Sequence, residues 1–148
     1  MNVIDGILST LKDLAKRVSR LETQGQPTWV YLATPLTSAS FDGDAFSTTA
    51  ATVIDLSAVF SVPANVKAVL VRLEANDDVA HGTAGNYLSV GPSAAVFYEL
   101  TCHVIGGDVK NSVTSPVACD ANGDIYYRIV ASGAGTLDAK IEIFGYLV

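Results

Sequence analysis

The side chains that could support catalysis or bind a metal are few and widely separated. His81 and His103 are the only histidines, and Cys102 and Cys119 the only cysteines, among the 148 residues. Their spacing is not that of a zinc ligand set. Neither a nucleophile elbow nor a phosphate-binding or dinucleotide-binding glycine motif is present. The sequence therefore predicts no catalytic residue, no cofactor-binding residue and no metal ligand, and we expect a protein that is not an enzyme.

An acidic segment, Asp120-Ala121-Asn122-Gly123-Asp124, superficially resembles a calcium-binding loop. An EF-hand loop, however, requires glycine at its sixth position and glutamate at its twelfth. Gly123 is fourth in this segment, and no such glutamate follows. The segment instead predicts a tight turn with Gly123 in the left-handed conformation. We expect residues 113–119 and 125–131 to pair across it as a hairpin.

The two cysteines allow two interpretations. If the chain turns near Lys110 and Asn111, Cys102 and Cys119 face each other across two strands, where a disulfide is geometrically conceivable. Otherwise they are free thiols buried in the core.

Composition excludes several classes of protein. The net charge is −6, and an acidic surface repels the phosphate backbone, so we expect no nucleic-acid binding. No uninterrupted apolar run reaches about 18 residues, which predicts no membrane insertion. The first ten residues lack a basic segment, so we expect no signal peptide and synthesis in the cytoplasm. Only 16% of the residues are charged, which favours an oligomer whose subunits cover one another.

Residues 1–24 predict a helix with one apolar stripe, followed by a linker at residues 25–28. Apolar residues recur at alternating spacings of three and four, the heptad pattern of a coiled coil. They are Ile4, Leu11 and Val18 at the a positions, and Ile7, Leu14 and Leu21 at the d positions. A helix this short is marginal alone in water, so the stripe requires a partner.

The segment from Arg17 to Glu22 indicates how many helices associate. Arg17 is at a g position and Glu22 at the following e position, with Val18 and Leu21 between them. This arrangement resembles the short trimerisation motif of parallel three-stranded coiled coils. Arg17 of one chain can reach Glu22 of the next and shield the apolar seam. We expect a parallel homotrimer; the alternative is a helix that packs on its own β domain.

Residues 29–148 predict a second domain that is mostly β. Strand-like segments occur at residues 29–32, 48–56, 66–74, 86–90, 95–105, 113–119, 125–131 and 137–148. Residues 137–143 alternate apolar and polar side chains, as in an antiparallel sheet with one buried face. About eight strands without a helical crossover predict a jelly-roll-like antiparallel β-sandwich. This part carries the negative charge of the chain, since acidic and basic residues nearly balance in the helix.

A short trimeric coil before a β-sandwich of low charge resembles bacteriophage virion surface proteins. Two segments strengthen the likeness: residues 55–72 are similar to a strand-turn-strand unit of phage structural proteins, and residues 124–146 to their closing hairpin. The resemblance implies a structural homotrimeric knob on the virion surface that contacts other virion proteins. The role most in keeping with the small size is decoration or cementing of the capsid.

Two other functions are compatible with the same sequence. The chain could be a short tail fibre or receptor-binding tip that recognises a host glycan, or a free-standing trimeric lectin. Both require a carbohydrate site, in which aromatic rings stack on the sugar. The candidate rings are Trp29, Tyr87, Tyr98, Tyr126, Tyr127 and Tyr146. The same residues serve equally well as core or intersubunit contacts.

Overall fold

An N-terminal helix precedes two antiparallel sheets in the computed structural model of the chain. The structure describes residues 3–23, 25–77, 85–105, 109–133 and 137–148, with the side chains of residues 3 and 21–23 left aside. The elements are α1 (Val3–Thr23), β1 (Trp29–Leu36), a 3-10 turn (Ala39–Phe41), β2 (Asp42–Ala45), β3 (Thr52–Ile54), α2 (Leu56–Phe60), β4 (Ala68–Asp77), β5 (Tyr87–Gly91), β6 (Leu100–His103), β7 (Asn111–Ala118), β8 (Ile125–Val130) and β9 (Leu137–Leu147).

The strands form a β-sandwich with the connectivity of a jelly roll. The first sheet has the order β1-β9-β4-β7, with β2 also paired to β9, and the second sheet has the order β3-β8-β5-β6. Except for β1–β2 and β5–β6, each connection between successive strands passes from one sheet to the other. This winding places the two sheets face to face around one core. The mostly β prediction is confirmed.

Alternation along much of the two long central strands creates that core. On β4, Val69, Val71 and Leu73 are fully buried, whereas Arg72 and Glu74 lie on the outer face between them. On β9, Ile141 and Ile143 are fully buried in the same way. Side chains from both sheets belong to a single apolar cluster. Each of these burials stabilises the fold by about 1.5–3 kcal/mol before the entropy of ordering is counted.

The strand predicted over residues 48–56 is present only as β3 at Thr52–Ile54, and the five-residue helix α2, which was not predicted, begins at Leu56. Asp55 caps it: its Oδ1 accepts hydrogen bonds from Ala58 N at 2.9 Å and from Ser57 Oγ at 2.7 Å. These two bonds lower the pKa of Asp55, the Ser57 bond contributing most. Asp124 Oδ1 accepts from Leu56 N at 3.0 Å and so ties the helix to the loop before β8.

The turn at residues 120–124 is present, but the hairpin predicted across it is wrong. β7 belongs to the first sheet and β8 to the second, so the turn joins the two layers instead of two paired strands. Gly123 has the expected positive φ of 90°, and a Cβ there would lie 2.8 Å from Asn65 N. Asp120 Oδ1 accepts from Asn122 N and Asp124 N, which holds the turn closed.

Gly91, the last residue of β5, is a position where we expect an added methyl group to destabilise the sandwich. The chain after β5 folds back so closely that a Cβ on Gly91 would lie 1.9 Å from the backbone oxygen of Val96. We expect Gly91→Ala to lower the free energy of unfolding by about 1–3 kcal/mol, measured by urea denaturation, because backbone must move. Gly85→Ala is the matched control, since among the described residues its Cβ meets only His103 Nδ1, at 3.7 Å. Equal stability of the two variants would contradict this interpretation.

Candidate oligomerisation site

The apolar stripe of α1 is exposed along its described length. The a-position and d-position side chains from Ile4 to Val18 are between 44% and 64% exposed. The described stripe comprises Ile4, Ile7, Leu11, Leu14 and Val18. The side chains of Leu21 and Glu22 lie outside the described residues. Leu8, at an e position beside the stripe, is also exposed.

Apolar side chains are buried in the sandwich but exposed on α1. Leu73 and Ile141 of the sandwich have no exposed surface, whereas Leu11 and Leu14 of α1 are more than half exposed. Among the described residues, the β domain therefore does not bury the stripe of α1. A short isolated helix is only marginally stable in water. A heptad stripe is the pattern of a helix that buries its apolar side chains against other helices.

The charged residues of α1 suit a helix that associates through this stripe. Asp5 lies in the first turn and Arg20 in the last turn, where each opposes the partial charge of the helix end. Arg17 is exposed at the edge of the stripe. Its predicted partner, Glu22, would come from a neighbouring chain.

The histidines form no metal site in the part of the chain that the structure describes. His103 is exposed at the end of β6, and its ring lies edge-on to Tyr87 with centroids 5.8 Å apart. His81 lies outside the described residues. Within the described ranges, no group of three or more histidine, cysteine, aspartate or glutamate side chains is placed to hold a metal ion.

Both cysteines are free, so the disulfide interpretation is wrong. β6 and β7 belong to different sheets, and Cys102 Sγ lies 3.4 Å from the backbone oxygen of Asn111, at the start of β7. Cys119 follows the other end of β7, at the opposite end of the sandwich. Burial raises the pKa of the Cys102 thiol. Burial, aided by the charges of Asp120, Asp124 and Glu99, raises the pKa of Cys119 to about 12.

We expect Cys119 to resist alkylation in the native protein. With a pKa of about 12, only about one thiol in ten thousand is a thiolate at pH 8, and the thiolate is the reactive form. Iodoacetamide treatment followed by mass spectrometry should find Cys119 unlabelled in the native protein and labelled after unfolding in guanidinium chloride. Native labelling of Cys119 as fast as in the unfolded chain would show that its thiol is neither buried nor surrounded by negative charge.

The candidate sugar-stacking rings do not converge on one site. Trp29 stacks on Tyr31, Tyr98 packs edge-on to Phe97, and Tyr87 contacts His103. Tyr127 is the candidate ring that lines a cleft of about 320 Å³ beside β2. Two phenylalanines that the sequence did not single out, Phe41 and Phe46, line the same cleft together with Asp44, Ser47 and Thr48.

Comparison with known proteins does not assign a family. No protein-family profile matches the chain, and no curated protein matches it either. A search of solved structures finds the coat protein of Tobacco streak virus, with a TM-score of 0.41 and 9% sequence identity. That match covers 82% of this chain and 85% of the coat protein. Among the described residues, no helix is both long enough and apolar enough to cross a membrane.

Proposed function

We propose that the protein is a non-enzymatic structural protein of a bacteriophage particle, a homotrimeric knob that decorates or cements the capsid surface. The observation that carries this proposal is the heptad stripe of α1, whose described side chains from Ile4 to Val18 are 44–64% exposed. A parallel trimer of α1 buries the stripe, and the Arg17–Glu22 pattern favours three helices over two. The resemblance of the helix-plus-sandwich plan to phage surface proteins supports the location on the virion.

In this function the protein acts by assembly. Three helices associate through the a and d layers, and each trimer presents three identical copies of any surface that contacts the particle. Weak contacts then add through effective concentration, so a trimer binds a symmetric shell far more tightly than one subunit does. The acidic sandwich keeps the knob from adhering to nucleic acid and to other anionic surfaces.

The second candidate function is a short tail fibre or receptor-binding tip that recognises a host glycan, with a free-standing trimeric lectin as its non-viral counterpart. The cleft lined by Phe41, Phe46 and Tyr127 favours it. Aromatic rings there could stack on a sugar, and Asp44 and Thr48 could accept hydrogen bonds from its hydroxyls. Of the two candidates, decoration has the stronger support, since the candidate sugar-stacking rings do not converge on one site.

Imaging of purified particles tests the proposal directly. Antibody labelling or averaged electron density should place the trimer on the capsid. Density confined to the tail would reject decoration and favour the fibre. A glycan array tests the sugar site that the second candidate requires: binding that is abolished by Tyr127→Ala and retained by Tyr98→Ala would establish a sugar site in the cleft. Tyr98 is an exposed tyrosine outside the cleft and serves as the matched control.

A further inference from the structure

The outer face of the first sheet is divided into a charged half and a neutral half. In the charged half, ion pairs link Arg72 to Glu74 at 3.2 Å and to Glu142 at 3.6 Å. Lys140 continues the network to Glu142 at 3.5 Å and to Asp42 at 3.6 Å. The side chains of Arg72 and Lys140 keep 38% and 30% of their surface exposed, so the charges of this half are in contact with water and the half is suited to face solvent.

The neutral half lies at the end of the same sheet from which α1 leaves. Strand register aligns Trp29 with Leu147, and Leu70 with Pro116, on the outer face. We call this surface the neutral patch; its side chains are Trp29, Tyr31, Leu70, Pro116, Ala118 and Leu147. These rows of the described sheet contain no acidic or basic residue. Tyr31 is 71% exposed and stacks on Trp29 with ring centroids 6.2 Å apart.

A short tether connects the neutral patch to the helix. α1 ends at Thr23, and Thr28 is already joined to Val148 by a pair of backbone hydrogen bonds of 3.1 Å. Only residues 24–27 lie between, and the five Cα–Cα steps from Thr23 to Thr28 span at most about 18 Å. In a three-helix coil with interaxial distances of about 8–10 Å, each helix end lies about 5–6 Å from the shared axis. Trp29 of every subunit is thereby confined to within about 28 Å of that axis.

We infer that the neutral patch is the contact between sandwiches of one trimer, where its three copies meet around the axis below the coiled coil. The inference rests on the proposed trimer and identifies the occupant of the patch as a second copy of this chain. The sandwiches are acidic, so three of them held together by short tethers repel one another through their charged surfaces. The neutral patch offers a face that removes apolar surface from water without bringing like charges together.

Photocrosslinking in the full-length protein tests this contact. Benzoylphenylalanine placed at position 31 is expected to give covalent dimers and trimers on irradiation. The matched control carries the same group at position 112, an exposed site on β7 that lies opposite Glu74 in the charged half of the same face. Light scattering of each variant before irradiation reports whether the trimer is present.

The outcomes distinguish a failure of the neutral-patch inference from a failure of the proposed coiled coil. A trimer that crosslinks from position 31 and not from position 112 supports the inference. A trimer that crosslinks from neither position, or equally from both, overturns the neutral patch and leaves the coil standing. A monomer overturns both. As a second readout, we expect Tyr31→Asp to raise the dissociation constant of the trimer about tenfold or more, and Ser112→Asp to change it less than about twofold.

Discussion

Replacing Leu14 by aspartate is expected to convert the protein from a trimer to a monomer of 15.5 kDa. Leu14 is a d-position residue near the middle of α1, and its side chain is 55% exposed in the single chain. In a parallel trimer, Leu14→Asp would place three carboxylates in one buried layer. The loss of three buried leucines alone costs about 5 kcal/mol or more, and unpaired buried charges add to it. Light scattering, with the mass followed from micromolar to nanomolar concentration, measures the effect.

The matched control for this variant is Ser9→Asp, which adds the same charge to the same helix. Ser9 is exposed at an f position, on the side opposite the stripe. A coiled coil leaves f positions in water, so Ser9→Asp should remain a trimer at concentrations where Leu14→Asp is a monomer. If the unaltered chain is a monomer, or if both variants keep its mass, the helix is not the element that assembles the protein.

The helix and the core strands were predictable because their signals are local. The spacing from Ile4 to Leu21 is a heptad pattern that can be read without knowing what the helix contacts. The alternation from Leu137 to Ile143 likewise identifies the buried face of β9 before any partner strand is known. Periodicity depends only on residues within one element, so it can be recognised without knowledge of the tertiary structure.

The pairing of strands was less predictable, because it depends on distant residues. β7 and β8 are joined by a tight turn and were expected to pair, yet β7 pairs with β4 and β8 with β3 and β5. In a jelly roll most turns connect two layers, so a good turn sequence does not imply a hairpin. α2 was missed although its cap, Asp55, is a local signal; its anchoring depends on Asp124, which lies far along the chain.

The neutral patch and the cleft beside β2 also depend on residues that are distant in sequence. Trp29 and Leu147 lie at opposite ends of the sequence, and only the pairing of β1 with β9 makes them neighbours in the neutral patch. Phe41 and Tyr127 meet edge-on with centroids 5.0 Å apart in the cleft, although more than eighty positions separate them in sequence. Composition indicated that some surface is covered, and the register shows where neutral surface is concentrated.

Asp77→Ala is expected to be among the most destabilising single substitutions in the sandwich. In the sequence Asp77 marks only the end of a strand, but in the structure its side chain is fully buried. Asn86 Nδ2 donates to Asp77 Oδ2 at 2.6 Å, and Ser132 Oγ lies 2.9 and 3.1 Å from the two carboxylate oxygens. The carboxylate thus joins the end of β4 to the segments before β5 and after β8.

Removal of this acceptor leaves the donor of Asn86, which is 6% exposed, without its charged partner. A buried polar group that loses a charged hydrogen-bond partner costs about 3 kcal/mol, so the melting temperature should fall by about 10 °C. Asp138→Ala, the control, removes an exposed carboxylate from the neighbouring strand and should stay within about 0.5 kcal/mol. Calorimetry measures the melting temperatures of both variants. If Asp77→Ala and Asp138→Ala melt at the same temperature, the buried carboxylate does not hold the three segments together. Apolar packing alone then sets the stability of this end of the sandwich.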